Sequence, residues 1–320
     1  MSTLMSTDGS KREMTLTVLG CGTLGIAILS GILASLSDTK GASASSNEDT
    51  PSLTPTKFIA CVRRPQSAKR IHDAVSAYQN FPVKVLQNDN INGVKQADVV
   101  ILGCKPYMLK DVLDVPGMRE ALNGKLLISI LAGVPAEQIE NTLYPDNSSV
   151  AEQDRCRIIR AMPNTAAIVR ESMTVISTAV PLPAELNKLV TWIFTRIGQV
   201  AHLPPASMDV STALAGSGPG FMALVLEGMA DGAVAMGMPR AEAQLMAAQV
   251  MRGTAAMVLN GEHPSLLREK VSTPGGCTIG GLLVLEENGV KGSLARSVRE
   301  ATVVASQLGQ GVKNVNGTRF

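Results

Sequence analysis

Aromatic residues are scarce in this chain, with one Trp, three Tyr and five Phe among 320 residues. A core with so few rings has to be filled by aliphatic groups, and the 15 Met and many Ala point to helices packed through small, flexible side chains. The three histidines share no metal-ligand spacing with the five cysteines, and no C-x-x-C pair occurs. That pattern argues against a zinc site and a dithiol redox motif, so no metal is expected. Cys21, Cys61, Cys104, Cys156 and Cys277 are an odd, scattered set that suits a reduced compartment, most of them serving as small apolar residues. An excess of one charge is lacking as well. With 29 Lys and Arg against 27 Asp and Glu the net charge is +2, and the basic residues are dispersed. No nucleic-acid partner is expected from such a balance. Residues 1–13 contain neither an apolar signal core nor enough arginine for a presequence, so the expected location is cytoplasmic. Residues 15–37 carry no charge and are long enough to span a bilayer. Four glycines and interspersed Ser and Thr dilute that stretch, a strand–turn–helix pattern explains it better, and no membrane partner is expected.

What the chain does have is Gly20-Cys21-Gly22-Thr23-Leu24-Gly25, preceded by Leu16-Thr17-Val18-Leu19 and followed by Ile26-Ala27-Ile28-Leu29. A β-prone run, a G-x-G-x-x-G turn and a helix opening form the pyrophosphate cradle of a dinucleotide fold. Gly20 permits the tight turn, Gly22 lets backbone approach phosphate, and Gly25 lets helix and strand pack closely. The helix start, with Thr23 and Leu24, offers unpaired N–H groups and a positive dipole end to an anion.

Further along, apolar strand-like runs fall at 57–62, 83–85, 97–104, 125–130, 157–162 and 173–177, alternating with helical stretches such as 66–78. The alternation predicts an α/β fold, a Rossmann-type doubly wound sheet, mostly parallel, with helices on both faces. Residues 38–56, rich in Ser, Thr, Gly, Asp and Pro, read as an exposed insertion, and 1–13 as a flexible tail. After about 178 strand signals nearly vanish. Helices are expected at 220–236, 240–259, 264–271, 279–287 and 291–308. The division expected is therefore 1–178, a dinucleotide-binding domain, and 179–320, an all-α substrate and dimerisation domain. Met222, Met229 and Met236 recur every seven residues and read as a packed helix face. A helical domain this apolar is expected to pack against another copy of itself.

Candidate binding residues cluster at strand ends, where open α/β sheets bind their ligands. The second strand ends in Arg63-Arg64, where a NAD-preferring fold usually carries Asp or Glu, and no carboxylate follows before Asp73. Paired guanidiniums suit a 2′-phosphate, which favours NADPH with NADH as the alternative; the bland reading is a solvated basic turn. Lys105, ahead of Pro106, stands where it could hold cofactor or a substrate carboxylate, or simply face solvent. Asn164 could present its amide to a nicotinamide, or serve as a turn residue. In Ser272-Thr273-Pro274-Gly275-Gly276-Cys277-Thr278-Ile279 two glycines precede a helix start, a geometry that binds carboxylates. Thr278 there either caps the helix or aims its hydroxyl at a substrate heteroatom.

With these segments in order, the chain from about 15 to 309 resembles the pyrroline-5-carboxylate reductases. The resemblance rests on Arg160-Ala161-Met162-Pro163-Asn164-Thr165, Gly216-Ser217-Gly218-Pro219, Ala230-Asp231-Gly232, His263-Pro264 through Leu267-Arg268, and above all on 272–279 followed by Leu285-Glu286-Glu287-Asn288-Gly289-Val290. It implies reduction by NAD(P)H of the cyclic imine 1-pyrroline-5-carboxylate, a small-molecule substrate, to L-proline. Thr278 would then hydrogen-bond the ring nitrogen, the backbone of Gly275, Gly276, Cys277 and Thr278 would hold the carboxylate, and Val271 would form part of the pocket. Lys105 and the Ala132 region would lie along the nicotinamide half of the cofactor. Similar proteins form dimers through interlocked C-terminal helices, often assembled into larger rings. The chain departs from the family pattern at Ala166, where Pro follows Asn-Thr, at Gly220-Phe221 in place of Ala-Tyr, and at Cys277, where Ala or Thr is common. The competing readings are a β-hydroxyacid or ketopantoate-type dehydrogenase, for whose helical Lys acid no equivalent is found, and a non-catalytic NADPH-binding sensor of the same fold.

Overall fold

The computed structural model describes residues 13–39, 51–145, 150–309 and 312. Eight strands form one sheet: β1 Met14–Leu19, β2 Pro55–Val62, β3 Val83–Gln87, β4 Val99–Leu102, β5 Leu126–Ser129, β6 Arg157–Met162, β7 Ser172–Ser177 and β8 Gly198–His202. Around it lie the helices α1 Thr23–Thr39, α2 Pro65–Val75, α3 Asn90–Lys95, α4 Leu109–Leu113, α5 Met118–Leu122, α6 Ala136–Leu143, α7 Ala184–Thr195 and α8 Met208–Ser211. The order across the sheet is β3-β2-β1-β4-β5-β6-β7-β8. All pairs are parallel except β6 with β7, whose Arg160 faces Ser177 and Met162 faces Val175. The reversal of order at β1, between β2 and β4, is the switch point outside which such sheets bind ligands.

Alternation along the strands explains why the sheet is covered twice. Leu16, Val18, Phe58, Ala60, Val99, Ile101, Leu126 and Ile128 enter one core, with Ile28, Leu29, Ile32 and Leu33 of α1, Ile71 of α2 and Ile193 of α7. Leu19, Ile59, Val100, Leu102 and Leu127 enter the opposite core, with Leu113 of α4, Met118 of α5 and Ile139 of α6. Strands buried on both faces read as continuous apolar runs, which is how they were visible in the sequence. The uncharged stretch at 15–37 is likewise accounted for. It is β1, a turn and most of α1, and its longest apolar side chains lie in the sheet's two cores.

The chain divides after Gly216: one compact unit reaches that residue and takes up the chain again from Thr302, and the other is centred on Ser217–Ala301. The boundary expected at 178 falls inside the first unit, because α7 packs into its core and β8 extends its sheet. The sequence hides β8. It opens on Gly198, has a single β-branched residue, Val200, and sits half exposed at the sheet edge. Of the expected insertion at 38–56, residues 40–50 lie outside those described, as does most of the 1–13 tail. Its final part is not loose: Pro51 is buried, and the Ser52 amide donates to Glu185 Oε2 at 2.9 Å.

The second unit is helical, with α9 Gly218–Ala235, α10 Arg240–Leu259, α11 Pro264–Val271 and α12 Cys277–Glu287, followed by α13 Val290–Gly309, which ends in the first unit. Arg240 pairs with Asp231 at 2.6 Å, and Arg268 of α11 with Glu286 of α12 at 3.2 Å. Few side chains of the unit are buried. Met222, Met229 and Met236, expected as a packed face, are 39%, 45% and 88% exposed, and Leu224, Leu245 and Leu259 are 70% exposed or more. These helices thus carry apolar faces that nothing in their own unit covers.

Candidate active-site segments

Three glycines at the end of β1 meet three different surroundings. Gly20 has φ +73, and a Cβ there would stand 2.7 Å from the Cys104 amide nitrogen. Its own N–H and that of Cys21 both donate to the Cys61 carbonyl, at 3.1 and 3.0 Å, which pins the turn to the end of β2. At Gly25 a Cβ would come within 2.9 Å of Val18 Cγ1 and 3.2 Å of Cys21 Sγ, so the absent side chain is what lets α1 lie on β1. Gly22 is exposed, and its nearest neighbour to a Cβ would be the Gly20 carbonyl at 3.9 Å. Nothing in the protein requires that glycine; the open space beside it suits a close-approaching ligand. The first α1 hydrogen bond runs from Ile26 N–H to the Gly22 carbonyl at 2.9 Å, so helix geometry gives the Thr23, Leu24 and Gly25 amides no intrahelical acceptor. No acidic residue occupies the first turn of α1 to compete for them.

Beside the turn lies a pocket of about 400 Å³ that Gly20, Cys61, Arg63, Asn88, Asp89 and Cys104 help to line. Gly20 and Arg63 are thereby brought together. Arg64 is exposed, does not line the pocket, and takes the position before α2, with Pro65 as its first residue. Asn88 and Asp89 were missed in the sequence. The available signal was Asn-Asp-Asn directly after a strand, and Asn88 indeed takes φ +53, a left-handed conformation that asparagine tolerates. The Asn88 amide donates to the Val62 carbonyl at 2.9 Å, tying the ends of β2 and β3 together. Asp89 and Asp111 give this pocket the carboxylates that the end of β2 lacks.

Around the same turn the cysteines are held as thiols. Burial, aided for Cys21 by Cys61 and for Cys61 by Asp89, pushes both up to about 12, and burial raises Cys104 to about 11. All five cysteines are free. Lys105 and Pro106 follow β4 and are exposed; Ala132 follows β5 and is exposed as well. Gly133 beside it is buried, 3.3 Å from the Ala305 carbonyl for a built Cβ.

Asn164 differs from the expectation. It is buried, its Oδ1 accepts from the Ala166 amide at 3.0 Å, and its Nδ2 donates to the Ala215 carbonyl at 3.0 Å. The side chain thus caps the 3-10 turn Thr165–Val169 and ties it to the π-helical turn Thr212–Gly216. Here the departure at 166 has a structural meaning: a proline would have no N–H for Asn164 to cap. The amide expected to face a cofactor is engaged with the protein.

In the second unit, Gly275 has φ +70 and Gly276 is the residue preceding α12, its N–H donating to the Thr273 carbonyl at 3.0 Å. Space around Gly276 is filled by the Thr273 side chain, which a Cβ would strike. Thr278 is the second residue of α12 and half-buried, and no side chain caps the helix, so the capping role for its hydroxyl is not the one adopted. No acidic residue stands in the first turn. The Cys277, Thr278 and Ile279 amides lie at an uncapped helix start. Val271, 57% exposed, ends α11 just ahead of this segment.

A doubly wound sheet with an open glycine turn at its switch point defines a dinucleotide-binding oxidoreductase, here continued by a helical module with uncovered apolar faces. Residues 15–133 match the family described as NADP oxidoreductase, coenzyme F420-dependent, and residues 205–308 match pyrroline-5-carboxylate reductase dimerisation. A pyrroline-5-carboxylate reductase of Lophium arboricola is 61% identical over 99% of this chain and 100% of its own length. One from Neurospora crassa is 53% identical, covering 97% and 98%. Among solved structures, a pyrroline-5-carboxylate reductase from Coxiella burnetii superposes with a TM-score of 0.73 at 25% identity, covering 93% and 99%. The chain belongs to the pyrroline-5-carboxylate reductase family. The dimerisation match falls on the helices with open apolar faces, in keeping with self-association.

Proposed function

We propose that this protein reduces 1-pyrroline-5-carboxylate to L-proline, the last step of proline biosynthesis, with NADPH as donor and NADH as the alternative. The observation that carries the reading is the start of α12: an uncapped helix N-terminus behind Gly275 and Gly276, without a first-turn carboxylate, bearing the Thr278 hydroxyl. Helix amides aimed at one point receive a carboxylate, and a hydroxyl one step along reaches the atom next to it. In this reading the amides of Cys277 and Thr278, with the Gly275-Gly276 backbone, hold the substrate carboxylate, and Val271 supplies an apolar wall. Thr278 orients the ring nitrogen.

The first unit holds the cofactor. Thr23, Leu24 and Gly25 amides receive the diphosphate, with Gly22 leaving room and Gly20 shaping the turn. Arg63, backed by Arg64, meets the 2′-phosphate, while Asn88 and Asp89 suit ribose hydroxyls. Lys105, Pro106 and Ala132 flank the nicotinamide half. Asn164 acts there as a positioning residue, fixing the Thr165–Val169 turn through the bonds it makes to Ala166 and Ala215. Bound NADPH supplies a hydride to the imine carbon. The ring nitrogen of the protonated imine keeps its proton as the C=N π pair becomes the amine lone pair, so no side chain has to act as general acid. The protein's part is placement and electrostatics.

The same reading extends the association to a dimer built through the second unit, with assembly of dimers into a larger ring, and a reducing, cytoplasmic location that suits five free thiols. The test mixes purified protein, NADPH and pyrroline-5-carboxylate and follows absorbance at 340 nm. Decay with this imine is expected. No decay with it, but decay with a 2-keto acid, or oxidation of a 3-hydroxy acid with NADP, would overturn the proposal.

A further inference from the structure

We infer that the first unit carries a second anion site, adjoining the cofactor cradle at Thr23, in a pocket walled by α1, α2 and the 3-10 turn Thr165–Val169. The cavity is about 330 Å³ and shares no lining residue with the pocket of Gly20 and Arg63. Arg70 enters it from α2 and Arg170 from just beyond the 3-10 turn, and no carboxylate lines it. Among the described residues neither guanidinium has an acidic partner. Arg70 is braced instead, its Nη2 donating to Thr23 Oγ1 at 3.0 Å. Both arginines are exposed, and an anion held in the concavity they line would meet two permanent positive charges.

Arg170 adds a second observation. It takes φ +60 and closes the 3-10 turn, its N–H donating to the Ala167 carbonyl at 3.1 Å. Glycine or asparagine serves such a position with less strain, so an arginine contributes nothing to the turn itself. What it adds is a permanent positive charge on a residue that lines the pocket. The remaining lining decides the class of ligand. Ser30 and Tyr78 offer hydroxyls, while Ile26 and Ile168 offer apolar surface. A small organic oxyanion fits this set, its carboxylate or phosphate group between the arginines and a short apolar body on the isoleucines. Because Thr23 also begins the helix whose amides face the cofactor cradle, an occupant here would be linked to cofactor affinity, equally in both directions.

Phosphate chemistry at this flank has two sources, a free anion or the cofactor's own phosphates, and the experiment separates them. The full chain is titrated with inorganic phosphate against chloride at constant ionic strength, with and without saturating NADPH, and melting temperature is read. A saturable rise is expected in the NADPH-saturated protein. In Arg70→Gln and in Arg170→Gln the apparent Kd for phosphate should rise at least tenfold, with kcat in phosphate-free buffer within twofold of the parent. Arg170→Asn, at home at positive φ, should behave as Arg170→Gln does, which separates loss of the charge from loss of the turn. A response confined to cofactor-free protein would assign the phosphate to the cradle and overturn the inference. So would the absence of any saturable rise, or a response unchanged in the arginine variants. If NADPH itself fails to bind, the proposed function falls, and dependence of the phosphate response on Arg70 and Arg170 still decides this one.

Discussion

Alanine placed in turn at Gly20, Gly22 and Gly25 should separate folding from cofactor binding, because the three positions have different neighbours. At Gly20 the substitution forces a side chain into φ +73 and against the Cys104 backbone at 2.7 Å. Left-handed strain of about 1 kcal/mol and overpacking of about 1–3 kcal/mol give a loss of roughly 2–4 kcal/mol. For a unit of this size that is a fall of about 4–16 °C in Tm. At Gly25 the contact is with the Val18 side chain at 2.9 Å, which can yield, so about 1–2 kcal/mol is expected. At Gly22 the new methyl meets no protein atom closer than 3.9 Å, so stability should change by less than about 0.5 kcal/mol. Its effect belongs to the ligand: NADPH affinity should drop at least tenfold, about 1.4 kcal/mol or more. Differential scanning fluorimetry reads the first quantity and nucleotide fluorescence titration the second. A Gly22→Ala protein that binds NADPH normally, or that melts as early as Gly20→Ala, would refute the reasoning.

Other outcomes follow from the same geometry. Thr278→Ala should keep its melting temperature, since the hydroxyl caps nothing, and lose about 10- to 100-fold in kcat/KM with NADPH affinity intact; Thr278→Ser should restore most of it, and an unaltered kcat/KM would remove Thr278 from the reaction. Arg63→Ala should erode the preference for NADPH over NADH more than Arg64→Ala does, because only Arg63 lines the pocket; equal effects in the ratio of Kd values would contradict the placement. Cys21 and Cys61 are raised to about 12 in the fold, so their contribution to stability is full below pH 9 and declines as pH climbs from 9 towards 12. By pH 10 each thiol should have cost about 1 kcal/mol, seen as an alkaline fall in Tm that is shallower in Cys61→Ala; parallel slopes would count against burial as the cause.

The parts of the fold legible in the sequence are those where one physical signal acts alone. Strands β1, β4 and β5, buried on both faces, announce themselves as apolar runs, and the long helices at 240–259 and 264–271 end where proline and glycine punctuate them. The edge strand β8 was invisible because an edge needs little apolar content and because its pairing with Ser172–Ile176 is a tertiary fact. The candidate site splits the same way. Backbone-defined pieces, Gly20 to Gly25 and Gly275 to Thr278, carry their geometry in their glycines. Side-chain roles do not travel so well. Whether Asn164 faces a ligand or the protein depended on Ala166 and Ala215, the second of them 51 residues away. Asn88 joins the pocket through a left-handed strand-end conformation that Asn-Asp-Asn hints at locally, but its place beside Gly20 and Arg63 is set by the sheet.

The double engagement of Asn164 makes its two amide atoms non-equivalent. The oxygen must accept from Ala166 and the nitrogen must donate to Ala215. In Asn164→Asp the new side chain would fill the same volume and still cap the turn. Yet the carboxylate would direct an oxygen towards the Ala215 carbonyl and set two acceptors against each other in a buried place. Shape would be conserved and direction lost. That single exchange would therefore loosen the π-helical turn from the 3-10 turn while leaving the packing volume as it was.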